Sequence, residues 1–143
     1  MDDLKDTLSQ LKNKGYRFSA VRNFIIESLN KNEYPLSVLD LQKLFKKSDL
    51  SADKVTLYRE INFLKKKGII IDVQLGDRKK YYEISSRKHH HHIICIKCKK
   101  INDFMVHENK KLINKALKQA GDFAEITNHS FEFFGLCKSC AKK

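Results

Sequence analysis

The chain has 143 residues, is 41% hydrophobic and carries a formal net charge of +12. That length suits one ordinary domain or two small ones, and a small half would need a staple such as a metal to stay folded. Apolar runs such as Ile69–Ile71 and Ile93–Cys95 fall far short of the ~20 residues a membrane-spanning helix requires, so no membrane association is expected.

The start, Met1-Asp2-Asp3-Leu4-Lys5, is acidic with no apolar run behind it. A signal peptide is therefore not expected, and the protein reads as cytoplasmic. The basic surplus favours a polyanionic partner: nucleic acid, an anionic membrane or an acidic protein. Lys and Arg cover both halves of the chain, so charge alone does not locate the binding face.

In chain order, Leu4, Leu8 and Leu11 recur at helical spacing, and Gly15 ends that segment. Ser19 is the expected cap of a second helix with Val21, Phe24, Ile25 and Leu29 on its apolar face. Pro35 breaks the chain. Ser37 with Asp40 resembles a capping box for a third helix that turns Val38, Leu41, Leu44 and Phe45 inward. Ser51 is expected to open a fourth helix running to about Lys67, ended by Gly68, with Leu57, Ile61 and Leu64 buried. The period then changes to that of strands. Ile69–Leu75 and Lys79–Ile84 flank Gly76-Asp77-Arg78, which signals a hairpin. Helices followed by a basic hairpin describe a winged helix-turn-helix over residues 1–84.

Residues 85–143 read as a small α/β domain with a three-stranded sheet. The expected order is a strand over His89–Cys95, a strand over Lys99–Phe104, a helix over about Glu108–Gln119 stopped near Gly121, and a strand over Phe123–Phe134. The fold class is therefore α+β. Phe123, Ile126, Phe131, Phe133 and Phe134 are more apolar surface than three short strands can hide, which predicts a homodimer.

All four cysteines lie in this second part, as Cys95-Ile-Lys-Cys98 and Cys137-Lys-Ser-Cys140. In a reducing compartment, two matched CxxC pairs favour a metal over a redox dithiol. Two such knuckles complete a tetrahedral sulfur shell, which suits structural Zn2+. His89 to His92 immediately precede Cys95. Alternate strand residues share a face, so His90 and His92 point one way and His89 and His91 the other. Glu83 and Asp103 are candidates to complete a site with His90 and His92. That nitrogen and oxygen set suits Fe2+, Mn2+ or Zn2+ without choosing among them. His129 is a candidate to join His89 and His91, or else a hydrogen-bonded strand histidine. His107 and Glu108 are weaker candidate ligands.

The fourth helix contains Thr56-Leu57-Tyr58-Arg59, and the early turns of a recognition helix enter the major groove. Arg59 is suited to guanine edges or phosphate, and Tyr58 to a thymine methyl, a phosphate or core packing. Lys65, Lys66 and Lys67 read as phosphate contacts or as a solvated helix end. Arg17, beside Gly15, is placed to reach a minor groove, and Lys79 and Lys80 on the wing to hold phosphate.

The ordered set Gly15-Tyr16-Arg17, Thr56-Leu57-Tyr58-Arg59, Tyr82-Glu83, His92-Ile-Ile-Cys95-x-x-Cys98, Asp103-Phe104 and His129-Ser-Phe-Glu-Phe-Phe-Gly-Leu-Cys137-x-x-Cys140 resembles the ferric uptake regulator (Fur) family across nearly the whole chain. The resemblance implies a winged-helix DNA-binding domain and an α/β dimerisation domain. It implies structural zinc at Cys95, Cys98, Cys137 and Cys140, and a sensory site between the domains matching Glu83, His90, His92 and Asp103. Some members have a further site matching His89, His91 and His129. It also implies repression of metal-uptake or peroxide-response genes by a homodimer on a palindromic double-stranded DNA operator, with Arg17, Tyr58 and Arg59 at DNA-contacting positions.

Three departures stand out. Many members supply a sensory histidine where this chain has Tyr34-Pro35-Leu36, with Glu33 nearby. A carboxylate that commonly accompanies the further site is replaced by Lys110, unless Glu108 serves. The common Cys-Gly-Lys reads Cys98-Lys99-Lys100, and Leu57 replaces a valine. The first departure gives a rival reading its footing: a DNA-binding protein with structural zinc and no metal sensing. A zinc hydrolase or deaminase is disfavoured, because four thiolates leave no open position for water and the chain lacks the deaminase signature of His-x-Glu with Pro-Cys-x-x-Cys. An RNA-binding zinc ribbon does not account for the helix-plus-wing half.

Overall fold

The computed structural model describes every residue except Met1, Arg87, Lys88, His89, Val106, His107, Glu108, Asn128, Ser130 and Lys143. Two compact units divide the chain, Met1–Lys88 and His89–Lys143. Among the described residues, no helix is long and apolar enough to cross a membrane.

The first unit opens with α1, Asp2–Asn13. It ends because Gly15 takes φ +89°, and the Tyr16 amide turns back onto the Leu11 carbonyl. α2, Ala20–Lys31, starts at Ser19, whose hydroxyl accepts from the Arg22 amide. α3, Val38–Lys46, has the full capping box: the Asp40 amide donates to the Ser37 hydroxyl, and the Ser37 amide to the Asp40 carboxylate. α4, Lys54–Lys66, begins later than the sequence suggests. Asp53, not Ser51, is its cap, accepting from the Thr56 amide at 2.7 Å. Asp caps as well as Ser, and Asp53 stands three residues before an amide it can reach. Gly68, at φ +70°, closes the helix.

A three-stranded sheet completes this unit in the order β1-β3-β2. β2, Ile70–Val73, and β3, Tyr81–Ile84, form the expected hairpin, with Ile70 opposite Ile84. β1, Leu36–Ser37, is only two residues long, pairs antiparallel with β3, and gave no sequence signal. The core gathers Ile25, Leu29, Leu41, Leu57, Ile61, Leu64, Ile70 and Ile84, all essentially inaccessible to solvent. This is a winged helix: helices on one core, with the hairpin at its edge.

The second unit is built on β4, His91–Cys95. β5, Ile101–Phe104, pairs antiparallel to it, placing His91 opposite Phe104 and His92 opposite Asp103. β6, Glu132–Gly135, pairs parallel on the other side, with His92 beside Glu132 and Ile93 beside Phe133. α5, Asn109–Ala120, lies between β5 and β6 in the chain, and a short α6, Lys138–Ala141, follows. Among the described residues, the expected strand over Phe123–Phe134 is reduced to its end: only Glu132–Gly135 pairs, and His129 lies outside any strand. The register explains this. β6 pairs with β4 from His92 onward and β4 begins only at His91, so the residues before Glu132 have almost none of β4 left to pair with. The second unit buries little. Among its described residues only His91, His92, Ile94 and Cys95 are buried.

Candidate metal centres and nucleic-acid interface

Two knuckles bring the four cysteines together. β4 ends at Cys95, and the chain reverses through Ile96–Lys100. The Lys99 amide donates to the Cys95 carbonyl, and the Cys95 amide to the Lys100 carbonyl. Lys99 adopts the left-handed φ of +65°. Cys137 stands at the N-terminus of α6, so one turn of helix returns Cys140 toward it. The four sulfurs lie within 4.8 Å of one another, and Cys98 Sγ is 3.8 Å from Cys137 Sγ. Zinc–thiolate bonds of about 2.3 Å in a tetrahedron separate the sulfurs by about 3.8 Å, so this donor set fits Zn2+.

The electrostatics already favour thiolate at Cys95 and Cys137. The Cys137 amide donates to Cys95 Sγ at 3.4 Å. That bond and the Cys98 amide are the main causes holding the Cys95 thiol down to about 6. The Cys140 amide lowers the Cys137 thiol. Cys140 is pushed up to about 12, first by the proton it shares with Cys137. Without an ion, the cluster keeps some protons because four adjacent negative charges repel. A dication removes that penalty.

His91 and His92, consecutive on β4, lie on its two faces. The rings of His90 and His92 meet edge-on at 4.9 Å. His92 Nε2 is 3.6 Å from Asp103 Oδ1, across the β4–β5 ladder. His92 is buried, whereas the Asp103 side chain is partly open. Three of the expected ligands, His90, His92 and Asp103, thus gather at the end of this sheet where β4 begins and β5 finishes. Glu83 is buried on β3 of the first unit. On the opposite face, His91 is buried against Phe104, His129 and Phe131, with its ring 5.7 Å from that of His129. His89, His107 and Glu108 lie outside the described residues. Lys110 is exposed on α5.

In the first unit, the expected DNA contacts are displayed to solvent. Tyr58 is 41% exposed, which answers the core-packing alternative. Arg17, Arg59, Lys79 and Lys80 are exposed. A groove of about 540 Å³ is lined by Lys54 and Tyr58 of α4 and by Arg78, Lys79 and Lys80 of the wing. Asp77 braces the wing: it accepts from the Tyr81 hydroxyl at 2.7 Å and the Lys79 amide at 3.2 Å. Burial, helped by Asp77, pushes the Tyr81 hydroxyl up to about 12.

The lysine run at the end of α4 is less available than its sequence suggests. Lys65 pairs with Asp72 at 2.7 Å. Lys67 bonds the Tyr16 hydroxyl at 2.5 Å and lies 4.0 Å from that ring's centroid, lowering the Tyr16 hydroxyl below its usual range. Lys66 is exposed. Arg22 and Glu60, which the sequence did not single out, form an ion pair between α2 and α4. Their separation of 38 residues leaves no local motif to find them by.

Comparison with known proteins agrees with this architecture. A family model described as the ferric uptake regulator family matches residues 13–134. The peroxide-responsive repressor PerR of Staphylococcus saprophyticus is 26% identical over 140 residues, covering 98% of this chain and 93% of that protein. The iron-containing ferric uptake regulator structure from Francisella tularensis is 30% identical with a TM-score of 0.74, covering 89% of this chain and 96% of the other. The Helicobacter pylori ferric uptake regulator, whose structure is described as having three functional metal-binding sites, is 28% identical with a TM-score of 0.78, covering 98% and 95%.

Proposed function

The chain belongs to the ferric uptake regulator family, and we propose that this metal-responsive transcriptional regulator is a cytoplasmic, homodimeric repressor of metal-uptake or oxidative-stress genes, acting on a palindromic operator. The observation that carries the metal half of this reading is the four-sulfur cluster, whose spacing fits zinc. The exposed Tyr58 and Arg59 on α4, with the braced basic wing, support the DNA half.

In this reading Cys95, Cys98, Cys137 and Cys140 hold a structural Zn2+ that staples a unit with little core of its own. Glu83, His90, His92 and Asp103 are the ligands of a regulatory Fe2+, Mn2+ or Zn2+. The proximity of His92 to Asp103 supports this assignment. His89, His91 and His129 are the ligands of an additional site, supported by the closeness of the His91 and His129 rings. Arg17 reaches a minor groove, Tyr58 and Arg59 read base edges, and Lys79 and Lys80 of the wing hold phosphate.

Regulation is linkage. The regulatory cation and the operator both favour the same arrangement of the dimer, so each raises affinity for the other by about 1–3 kcal/mol of coupling. The test is binding to a palindromic duplex selected from a random pool, at fixed salt, with Fe2+, Mn2+, Zn2+ or a chelator that spares the structural zinc. Affinity should rise at least about fivefold with one cation and lose that rise in the His90→Ala/His92→Ala protein. Equal affinity in every condition would remove the sensing claim and leave a DNA-binding protein with structural zinc alone.

A further inference from the structure

Arg22 lies in the first turn of α2, and its guanidinium is held from several sides. Its Nε and one terminal nitrogen donate to the two carboxylate oxygens of Glu60 on α4. The other terminal nitrogen donates to the Arg17 carbonyl at 2.6 Å. The plane lies over Phe63 of α4, 3.7 Å from the ring centroid, with Phe18 at 5.7 Å. Only 15% of the Arg22 side chain and 14% of that of Glu60 is exposed. A guanidinium fork makes two parallel bonds and a stacking contact at once, which an ammonium does not.

The segment before α2 is tied a second time. The Asn23 amide side chain donates to the Phe18 carbonyl at 3.4 Å, and Ser19 caps the helix. The backbone at Arg17 and Phe18 is therefore fixed from α2, and α2 is fixed to α4 through Glu60. The Arg17 side chain is left exposed, beside Lys12 and Asn23, on a cavity of about 640 Å³. Glu60 immediately follows Arg59 on α4. A bare carboxylate there would repel a phosphate backbone, yet this one is neutralised from inside the unit.

We propose that Arg22 is a positioning residue: by joining the Arg17 backbone to Glu60 of α4, it fixes the spacing between Arg17 and the α4 side chains that meet the same DNA duplex. The inference rests on the DNA-binding reading above. It assigns Arg22 no DNA contact of its own. Its effect passes through Arg17.

The experiment measures duplex affinity of the full-length, zinc-loaded protein against salt, for the parent, Arg17→Ala, Arg22→Lys, Glu60→Gln, and Arg17→Ala combined with each of the latter two. Thermal melts show which variants are folded at the assay temperature. Arg22→Lys and Glu60→Gln should each weaken binding about tenfold. Glu60→Gln is the sharper case, since it removes a negative charge from the DNA-facing helix and charge alone would tighten binding. In the Arg17→Ala background either change should add less than about twofold, because the group being positioned is already gone. If Arg22→Lys fails to fold, the Arg17 and Glu60 cycle decides. Tighter binding by Glu60→Gln, or effects that add fully to Arg17→Ala, would overturn the inference while leaving DNA binding intact. A parent protein with no affinity for duplex DNA would overturn the DNA reading and this inference together.

Discussion

Cys98 Sγ approaches Cys137 Sγ to 3.8 Å although the two residues are 39 positions apart. That approach joins the turn after β4 to the start of α6, so an ion bridging it closes most of the second unit into a loop. The unit has little else to hold it, since its described buried residues are only His91, His92, Ile94 and Cys95. Structural zinc sites of this kind contribute about 10–16 kcal/mol of apparent binding energy, far more than so small a core supplies. Cys98→Ser should therefore lose the zinc and the tertiary structure of the second unit together. Metal content and amide exchange check this: protection should vanish from β4, β5 and β6 and persist in α2 and α4. A folded second unit without zinc would show that the core suffices.

Lys99 marks a place where the chain works against its own chemistry. Its φ of +65° is a left-handed conformation that costs a side-chain-bearing residue about 1–2 kcal/mol relative to glycine. The knuckle demands it, because the chain must turn back after Lys99 for the Lys100 carbonyl to accept from the Cys95 amide. Lys99→Gly should stabilise the zinc-loaded protein by up to about 1 kcal/mol, part of the gain being returned through the freer unfolded chain. A raised melting temperature at unchanged zinc content is the expected result.

What the sequence made legible were features that act over a few residues. Ser37 and Asp40, three apart, form the capping box. Gly15 and Gly68 stop helices with positive φ, and the CxxC pairs meet. Features made by tertiary contact were not legible. Ser51 and Asp53 are equivalent as caps by composition, and only the geometry at Thr56 chooses Asp53. The expected strand through Phe123 fails because β4 offers no partner there. Lys65 and Lys67 look free in a run of three lysines, yet each is engaged by a residue from elsewhere in the fold. Arg22 and Glu60 meet only because α2 packs against α4.

The cap of α4 carries a pH dependence of known sign. Hydrogen bonding to Thr56, through its side chain and then its backbone, holds the Asp53 carboxyl below its ordinary value of 3.8. A carboxyl depressed in the folded state contributes fully above that ordinary value, and the contribution is lost as pH falls through the depressed one. Asp53→Asn keeps a capping oxygen but does not titrate. The parent should melt higher than Asp53→Asn at about pH 6, with the difference shrinking as pH falls below the ordinary value of 3.8. A constant difference across that range would mean the carboxylate charge is irrelevant to the cap.

Lys65, Lys66 and Lys67 should not contribute equally to DNA affinity. Lys65 is paired with Asp72 and Lys67 with Tyr16, whereas Lys66 is exposed. Removing one lysine that neutralises a phosphate lowers the slope of log affinity against log salt by about 0.9. Lys66→Ala should show about that reduction, and Lys65→Ala and Lys67→Ala distinctly less. Equal slopes for the three variants would mean that the internal pairs open when DNA binds.

Ile93 and Phe133 are neighbours in the parallel β4–β6 register, and both remain exposed, at 45% and 55%. Phe133 stacks on Phe104 at 5.3 Å, which orients the ring without covering it. An aromatic held rigid and left open beside an aliphatic residue has the character of an interface hot spot, whose truncation costs at least about 2 kcal/mol of association. If two copies of the chain meet on this sheet face, both side chains are covered, and Phe133→Asp should raise the dimer dissociation constant by at least about 30-fold. Sedimentation equilibrium reads that shift, and zinc content should not change, since the ring lies outside the cysteine cluster. A variant that stays as dimeric as the parent would place the dimer interface on another surface, and a monomeric parent would remove the dimer from the mechanism.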